Sequence, residues 1–419
     1  MRILLSCYYF SPYRGGEAAV GWKYATGLAK LGHEVTVMYG DLSSQMPMKA
    51  DVERYISETG LPPGLRAVHV SASDRARAIH DLHGKPGLFF LYYSAYRLWQ
   101  KACFDEASKL HREHPFDIVH HLTIIGYREP GYLWQLDAPF VWGPINGAAA
   151  MPWGFISGFG WRGRYQHVLR NFLNWMQMRL PGRSRKAAGR AGKIWGVTQE
   201  DCTMVSEIWR RPVEPMIETG ANLDAVATVR SRRVGESLIL VWCGILEARK
   251  ALHLVLEAMA TLPGEVMCEL HVIGDGPERV GWERRSGEIG LGGKLVWHGR
   301  VSHEEAQRLM AAGHVLVHSS VKEGTPHVVL EAMAQGIPVI CHDACGMGVA
   351  VDESSGLKVP MRNPMTSVAG FREAMLRLWN EPGLLGELSE GAILRATELS
   401  WDNKVKKVEQ AYRELLKKS

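Results

Sequence analysis

Residues 322–331 read Lys322-Glu-Gly-Thr-Pro-His-Val-Val-Leu-Glu331, and this stretch predicts the point where a strand gives way to a helix. The apolar residues 315–317 just before it predict a short buried strand. Thr325 has a side chain suited to a helix N-cap, and Pro326 suits the first helical position, where its missing N–H is not needed. The sequence therefore predicts a helix that begins at Pro326, soon after the strand.

Two carboxylates flank this predicted helix start. Glu323 lies in the loop before it, and Glu331 lies about one turn inside the helix. The amides of His327 and Val328 point out of the helix start, where the helix dipole favours an anion such as phosphate. This arrangement suits a ligand with phosphate in its middle and hydroxyl groups at both ends, and a nucleotide-sugar is such a ligand.

Strand-then-helix alternation runs through both halves of the chain. In the first half we predict a helix at 18–31 and strands at 2–7, 34–38, 117–121, 140–142 and 193–197. In the second half we predict a helix at 252–260 and strands at 238–243, 269–273, 295–298, 315–318 and 338–341. Parallel crossovers of this type produce doubly wound sheets covered by helices on both faces. The predicted fold class is α/β, with two Rossmann-like domains facing across a cleft.

The length and composition favour a two-domain protein of a reducing compartment. The 419 residues provide room for domains at 1–219 and 220–400, joined through the polar segment 219–237, and a helical tail at 401–418. Seven cysteines show no disulfide or zinc spacing, which predicts free thiols. The N-terminal apolar run is too short for a signal peptide and is expected to be the first strand. No apolar run reaches the roughly 18 residues of a membrane span.

Positive charge is concentrated in one part of the sequence. The net charge of +5 is mild, and no nucleic-acid partner is expected. Residues 138–199 contain no acidic residue, whereas residues 161–193 contain nine arginines and lysines. This asymmetry predicts an anionic partner.

Two segments have the composition of a membrane-contacting surface. Residues 88–99 are dense in aromatic side chains, with Arg97 and Lys101 beside them. A helix predicted within 162–193 carries an apolar stripe of Leu169, Phe172, Leu173 and Met176. An anionic inner-membrane surface is therefore a candidate partner. The same stripe also fits ordinary core packing, so both interpretations stay open.

A basic pair follows the strand at 238–243. Arg249 and Lys250 stand at a predicted helix start, where a cation costs roughly 0.3–1 kcal/mol. A bound diphosphate would reverse this cost, because both cations would pair with charge on the leaving group. A solvated basic loop is the alternative. No Asp-x-Asp or Walker motif occurs, so we expect no metal or cofactor, and these cations and backbone amides would balance the diphosphate.

Glycines and histidines near the first-domain strands are further candidates. Gly15 and Gly16 let the backbone approach a ligand closely or form a generic turn, and they lack the Gly-x-Gly-x-x-Gly fingerprint. His120 and His121 end the strand predicted at 117–121. Adjacent strand residues point to opposite faces, so at most one histidine can reach the cleft while the other packs.

With these residues in place, the chain resembles glycosyltransferase family 4, the retaining enzymes with the GT-B fold. The specific part is Glu323-Gly-Thr-Pro-His-Val-Val-Leu-Glu331-Ala-Met-Ala-Gln-Gly-Ile-Pro338, which is similar to the Glu-x7-Glu element of that family. Supporting similarities are Gly15-Gly16, Arg249-Lys250, Gly274-Asp-Gly-Pro-Glu278 and the tail around Ser400-Trp401-Asp402.

The resemblance implies a role for each site residue. Glu331 would bind the nucleotide ribose, and Glu323 would hold the donor sugar near its reacting carbon. Arg249 and Lys250 would hold the diphosphate, and Gly16 would approach donor and acceptor from the other domain. The tail helix at 401–418 would cross back to the first domain. Contacts to phosphate and sugar through main chain or hydroxyl are implied for Thr325, His327 and Val328.

Two departures from the family pattern stand out. The family commonly has Gly-Arg after the first strand of the second domain, whereas Gly244 is followed by Ile245 here. Arg249 would then take over that charge. The family histidine often lies in a His-x-His element, whereas His120 and His121 are adjacent, so which of them faces the acceptor stays open.

Together these features predict a metal-independent, retaining hexosyltransferase. It would move a sugar from a UDP- or GDP-sugar to a saccharide or lipid-linked acceptor, in bacterial cell-surface polysaccharide or glycolipid assembly. We expect a cytoplasmic protein, peripheral on the cytoplasmic face of the inner membrane. The alternatives are a non-catalytic nucleotide-sugar-binding protein recruited to membranes and a GT-B-fold nucleotide-sugar epimerase.

Overall fold

The first half of the chain forms a seven-stranded parallel sheet. The computed structural model describes residues 1–42, 47–83, 85, 88, 90–224 and 226–418, and for Arg162 the backbone alone. The strand order is β3-β2-β1-β4-β5-β6-β7. The strands are β1 (Arg2–Cys7), β2 (Glu34–Tyr39), β3 (Leu65–His69), β4 (Ile118–Thr123), β5 (Phe140–Ile145), β6 (Ala191–Gly196) and β7 (Glu214–Pro215).

Helices cover this first sheet. Their bounds are α1 (Glu17–Lys30), α2 (Met48–Glu58), α3 (Asp74–His83), α4 (Leu91–Glu113), α5 (Trp153–Ile156), α6 (Trp161–Arg179), α7 (Arg183–Arg190) and α8 (Gln199–Trp209). One apolar cluster packs the α1 side of the sheet and another packs the α4 side. The sheet is thus buried on both faces, as parallel sheets are.

The second half repeats the architecture with a six-stranded parallel sheet in the order β10-β9-β8-β11-β12-β13. Its strands are β8 (Leu238–Cys243), β9 (Cys268–Ile273), β10 (Leu295–Gly299), β11 (Val315–His318), β12 (Val339–His342) and β13 (Gly356–Val359). Its helices are α9 (Leu252–Ala260), α10 (Arg279–Glu288), α11 (His303–Ala311), α12 (His327–Ala334), α13 (Cys345–Ala350), α14 (Pro364–Asn380) and α15 (Pro382–Glu398), and α16 (Trp401–Leu416) follows. The prediction of two doubly wound α/β domains is confirmed.

The sequence pattern located the interior strands well and missed strands at the sheet edges. Three strands coincide with their predicted bounds, namely β1, β8 and β11. The strands β3, β7 and β13 were not predicted, and each of them lies at the edge of its sheet. Edge strands are half exposed, so their sequences lack the continuous apolar run that marks a central strand.

The chain crosses twice between the two sheets, and the two crossings are hydrogen-bonded to each other. The Ala221 amide donates to Leu399 O at 2.9 Å, and the Trp401 amide donates back to Ala221 O. After the second crossing α16 packs on the first domain, where Val405, Val408 and Tyr412 join the α1 cluster.

A segment of the first domain also packs into the second. Met151, Phe155 and Ile156 belong to the hydrophobic cluster built mainly from β8, α9 and α14. The ring of Phe155 lies 6.1 Å from that of His342 in β12. Residues 151–156 therefore bring the two halves into contact beside the carboxyl end of the second sheet.

The aromatic segment at 88–99 contributes two rings to the core, whereas Phe90 is 52% exposed. Tyr96 and Trp99 of α4 are fully buried, and each ring meets that of Tyr8 edge to face. Phe89 lies outside the described residues. The interpretation of this segment as a membrane-facing surface is therefore wrong for its two buried rings, which face the sheet because they lie one helical turn apart. Among the described residues, no helix is both long and apolar enough to cross a bilayer.

We predict that Tyr412→Phe destabilises the protein by about 1–3 kcal/mol. The Tyr412 hydroxyl lies 2.5 Å from Nδ1 of the buried His120, and its loss would leave that nitrogen without its partner. The matched control is Tyr13→Phe, which removes a hydrogen bond from the exposed Tyr13 hydroxyl to Glu58 and should change stability much less than Tyr412→Phe does. Urea unfolding midpoints compare the variants, and equal shifts would contradict the prediction.

Candidate active site

The predicted residues lie on loops that leave the switch points of the two sheets. Strand order reverses between β1 and β4 in the first sheet and between β8 and β11 in the second. Gly15 and Gly16 follow β1, Gly244 follows β8, and Glu323 follows β11. Ligands of doubly wound sheets bind outside the strand ends at such points. The fold therefore places these residues where a ligand is expected.

The loops after β8 and β11 are joined by an ion cluster around Glu323. The ammonium group of Lys250 bonds the Glu323 carboxylate, and Arg249 Nη1 donates to Glu323 Oε2 at 2.8 Å. The Ser320 hydroxyl donates to Oε1 at 3.1 Å. Only 12% of the Glu323 side chain and 12% of the Lys250 side chain are exposed. Glu323 and Lys250 are therefore largely shielded from water, whereas Arg249 is 36% exposed and also pairs with Glu247.

The charges of this cluster shift the pKa values of its members. Burial opposes ionisation of Glu323, but the Lys250 and neighbouring charges outweigh it and hold the carboxyl pKa below its ordinary value of 4.5. Burial and the Lys250 charge lower the pKa of His318 to about 3, so this imidazole is neutral. The site thus contains an ionised carboxylate beside two cations.

The basic pair lies slightly before the predicted helix start. Arg249 and Lys250 are in a single 3-10 turn, Ala248–Lys250, and Ala251 separates this turn from α9. Ala251 adopts the left-handed conformation, with φ of 50°, which ends the turn before the α-helix begins. The Lys250 carbonyl accepts from the Ser319 hydroxyl at 2.8 Å, so the backbone of this turn is held by the loop after β11.

The expectation that Thr325 caps α12 is wrong. The helix spans His327–Ala334, Pro326 occupies the N-cap position, and no side chain caps it. Thr325 instead donates through its amide and its hydroxyl to Glu218, at 2.8 and 2.6 Å. A charged carboxylate is a stronger hydrogen-bond acceptor than a neutral oxygen, and the Thr325 hydroxyl is directed to Glu218 rather than to the amides of α12.

The amides at the start of α12 are available to a ligand. Within the described part of the chain, the His327 and Val328 amides have no hydrogen-bond acceptor. The His327 side chain is exposed, with Nδ1 3.5 Å from the Thr219 hydroxyl. The predicted anion-binding corner is present, with Pro326 rather than Thr325 at its cap.

Glu331 lies beside a cavity at the carboxyl end of the second sheet. Its half-buried carboxylate accepts a hydrogen bond from Gln307 Nε2 at 2.7 Å. The pKa of Cys243 is raised mainly by burial and further by the nearby Glu331 charge. Cys243 and Ala306, the neighbour of Gln307, both line a cavity of about 690 Å³. That cavity has a volume suited to a nucleoside-sized ligand.

Glycines form much of this cavity wall. Gly244 and Gly274 both line it, and a Cβ on Gly274 would lie 1.9 Å from the Gly244 carbonyl oxygen. Only glycine permits this approach. On the first domain, a Cβ at Gly15 or Gly16 would meet no atom within 4 Å, so the space in front of that loop is open.

Neither His120 nor His121 reaches the cleft, so the interpretation of either as a cleft residue facing the acceptor is wrong for this structure. Their exposed fractions are 0% and 1%, because β4 is buried along its whole length. His120 contacts Tyr412 and the Gly143 carbonyl, and burial lowers its pKa to about 4. His121 points to the other face near Gly131, and burial lowers its pKa to about 3. Both are core residues in this conformation.

Sequence reasoning missed two carboxylates in the crevice between the domains. Glu218 lies just before the connecting segment and accepts hydrogen bonds from Thr325. The second carboxylate is Glu17, the residue after Gly16, and burial raises the pKa of Glu17 to about 7. A hydrogen bond from the Ile125 amide lowers this pKa, and the charge of Glu218 raises it. No motif marks either residue, although Glu17 directly follows the glycine pair.

Glu323 and Lys322 face the first domain across a small cavity of about 40 Å³, which residues 146–152 line from the other side. The Lys322 ammonium donates to Ala149 O at 2.8 Å.

A larger cavity of about 950 Å³ lies beside the chain crossings, between α8, α13, α15 and α16, and contains none of the predicted residues. Volume alone therefore does not identify the site. Among the described residues, no group of three or more acids, histidines or cysteines could hold a metal ion.

We predict that Lys250→Met destabilises the protein by about 2 kcal/mol near neutral pH, because Glu323 would keep its burial and lose its closest cation. The stabilising effect of the pair requires an ionised Glu323, whose folded pKa lies below 4.5. It is therefore present above that pH and is lost as the pH falls through the folded pKa. The difference in the free energy of unfolding between wild type and variant, measured by urea unfolding, should therefore shrink as the pH decreases.

The control is Arg308→Met, which breaks the exposed pair with Glu305 and should change stability much less than Lys250→Met does. A difference between wild type and Lys250→Met that does not vary with pH would contradict the role of the Glu323 charge.

Comparisons with known proteins give this site a family context. Residues 229–380 match the family model described as Glycosyl transferases group 1. The D-inositol 3-phosphate glycosyltransferase of Streptomyces bingchenggensis is 29% identical over 223 residues, 48% of this chain and 48% of that protein. The chain thus matches about half the length of such curated relatives.

Solved structures match the whole chain. The lipopolysaccharide outer core galactosyltransferase WaaB, in its apo form, superposes with a TM-score of 0.67 at 15% identity, covering 99% of both chains. Anabaena HepE in complex with UDP superposes with a TM-score of 0.59 at 12% identity, covering 99% of this chain and all of that one. At these identities the likeness concerns the fold. Residues 229–380, which match the group 1 glycosyl transferase model, carry Arg249, Lys250, Glu323 and Glu331. The fold of the whole chain is similar to that of these solved glycosyltransferase structures, with two Rossmann-like domains.

Proposed function

We propose that this protein is a retaining glycosyltransferase of family 4 that moves a sugar from a UDP- or GDP-sugar to an acceptor hydroxyl. The observation that carries the proposal is the cluster of Glu323, Arg249 and Lys250, which faces the other domain next to the open amides of α12. Two cations and a helix start suit a diphosphate. A carboxylate at the same point suits a sugar hydroxyl.

In the proposed complex the donor phosphates replace Glu323 as the partner of Arg249 and Lys250. The released carboxylate then accepts hydrogen bonds from the donor sugar. Negative charge develops on the diphosphate as the glycosidic bond breaks, and cations placed in advance stabilise that charge. We propose that this stabilisation works without a metal.

Glu331 is proposed to fix the nucleoside end of the donor. Its carboxylate is half-buried and held by Gln307, so it is oriented before a ribose arrives. Two carboxylate oxygens can accept from two vicinal hydroxyls. The cavity of about 690 Å³ beside it would receive the base.

The acceptor is proposed to enter from the first domain. Its hydroxyl would attack from the same face as the departing diphosphate and pass its proton to an oxygen of that diphosphate, which gives retention of configuration. Gly16 leaves room for both substrates. The relatives support saccharide chemistry, since one is named for D-inositol 3-phosphate and one solved neighbour for the lipopolysaccharide outer core. We therefore propose a role in bacterial surface polysaccharide or glycolipid assembly, and the seven free thiols favour the cytoplasmic side.

A donor screen tests the proposal directly. A nucleotide-sugar that binds only the folded protein raises its melting temperature by an amount set by its concentration relative to Kd. We expect one UDP- or GDP-sugar to do so, to release free nucleotide when incubated with acceptor sugars, and to keep doing so in EDTA. Tight binding without turnover would favour a non-catalytic binding protein. Interconversion of the free donor sugar would favour an epimerase.

We predict that Glu323→Gln and Glu331→Gln have separable effects. Glu323→Gln should lower kcat by about 100-fold or more, because its contact strengthens at the reacting carbon. Glu331→Gln should raise the donor KM about tenfold and leave kcat nearly unchanged, because ribose binding is the same before and during reaction. Initial rates at varied donor concentration distinguish the two. Glu390→Gln, on the exposed side of α15, is the matched control and should behave as wild type. Equal kcat for all three variants would overturn the assignment of Glu323.

A further inference from the structure

Helix α6 exposes its aromatic side chains and buries its amides. Asn171 and Asn174 are 4% and 3% exposed, whereas Tyr165, Phe172 and Trp175 are 66%, 56% and 55% exposed. A helix on the surface of a globular protein normally shows the opposite arrangement. The exposure of these rings therefore calls for a partner that is not part of the described chain.

The exposed apolar residues form one continuous stripe. They recur every third or fourth position and so share one side of the helix. We call this stripe the aromatic face, and it consists of Trp161, Tyr165, Val168, Phe172 and Trp175. At 1.5 Å per residue the helix is about 28 Å long. Of the predicted stripe, Phe172 belongs to this face and Leu169 is 38% exposed beside it, whereas Leu173 and Met176 are half-buried.

The buried asparagines fix the rotation of the helix. Asn171 accepts from the Met151 amide and donates to the Met151 carbonyl, both at 2.8 Å. Asn174 donates to Gly147 O at 3.1 Å. Turning the aromatic face inward would break all three bonds and bury two amides without partners, which is unfavourable. The aromatic face is therefore held outward.

Positive charge lies on the same helix as the aromatic face and on the helix that follows it. The Arg179 guanidinium lies 4.9 Å from the centre of the Trp175 ring. Arg170 of α6 and the residues Arg185, Lys186 and Arg190 of α7 are exposed. The segment itself supplies no opposite charge, because residues 138–199 contain no acidic residue. Aromatic rings rimmed by arginine and lysine match the interface of a bilayer that contains anionic lipids.

We propose that the aromatic face of α6 binds the surface of an anionic lipid bilayer, with the helix lying in the plane of the membrane. A second copy of this chain fits less well, because self-association would bring two basic rims together. Tryptophan and tyrosine are also the residues that membrane interfaces favour. The proposal goes beyond sugar transfer and does not depend on it, since lipid binding requires neither donor nor acceptor.

The same contacts connect the lipid surface to the ion cluster. Met151, which holds Asn171, begins the segment 151–156 that packs into the second domain. Two residues earlier, Ala149 O accepts from Lys322, the neighbour of Glu323. Docking α6 would therefore place the interdomain crevice next to the membrane surface.

Vesicle co-sedimentation of the full-length protein tests this proposal. Wild type should bind equimolar phosphatidylcholine–phosphatidylglycerol vesicles and should bind pure phosphatidylcholine at least about tenfold more weakly. The triple variant Tyr165→Ser/Phe172→Ser/Trp175→Ser should lose at least about tenfold in binding to the anionic vesicles. Arg185→Gln/Lys186→Gln should lose about tenfold or more, and added salt should weaken wild-type binding.

The matched control is Met365→Ser/Leu394→Ser, which removes two side chains of 83% and 68% exposure from the second domain and should bind vesicles as wild type does. Unchanged vesicle binding by the triple variant overturns the proposal. The proposal is also overturned if light scattering shows a dimer for wild type and a monomer for the triple variant while neither protein binds vesicles. That result would mean that a second copy of the chain covers the aromatic face. The melting-temperature shift caused by a donor should be the same in wild type and the triple variant, which separates this proposal from that of sugar transfer.

Discussion

The interaction on which the site depends is the pairing of Glu323 with Lys250 and Arg249. These residues come from loops that follow different strands, and the attraction between Glu323 and Lys250 is strong because both side chains are only 12% exposed. The pairing holds the loop after β11 against the loop after β8. It also keeps a carboxylate ionised at the mouth of the crevice. The geometry of α12, the glycine-lined cavity and the contact from Lys322 to the first domain are all arranged around this one cluster.

Much of this arrangement could be predicted because it depends on local patterns. The strands β1, β8 and β11 are central, so their apolar runs are continuous and their bounds are clear. The loops that follow them carry glycines and charged residues at short, regular distances. Edge strands such as β3 and β13 were missed because solvent contact on one side permits polar residues such as Arg66 and Lys358.

The contacts that could not be predicted join residues far apart in sequence. Glu218 holds Thr325 across 107 positions, and nothing near Thr325 indicates that its N-cap role is lost to that carboxylate. His120 and His121 were both candidates for the cleft. Nothing near His120 in the sequence indicates that the Tyr412 hydroxyl, 292 positions away, contacts its Nδ1 in the core. The face of α6 was assigned only in part, because helical periodicity gives the spacing of a stripe but not the direction in which it points. The direction depends on Asn171, a polar residue that the pattern alone would place in solvent.

The paired chain crossings have a mechanical consequence. Two single strands that passed independently between the domains would allow twisting as well as bending. Here the strands around Ala221 and Ser400 are bridged side by side, and the Lys404 ammonium ties the first of them to α16 at Ile217 O. Because the two connections are joined to each other at this point, a movement of one domain relative to the other must displace both connections together.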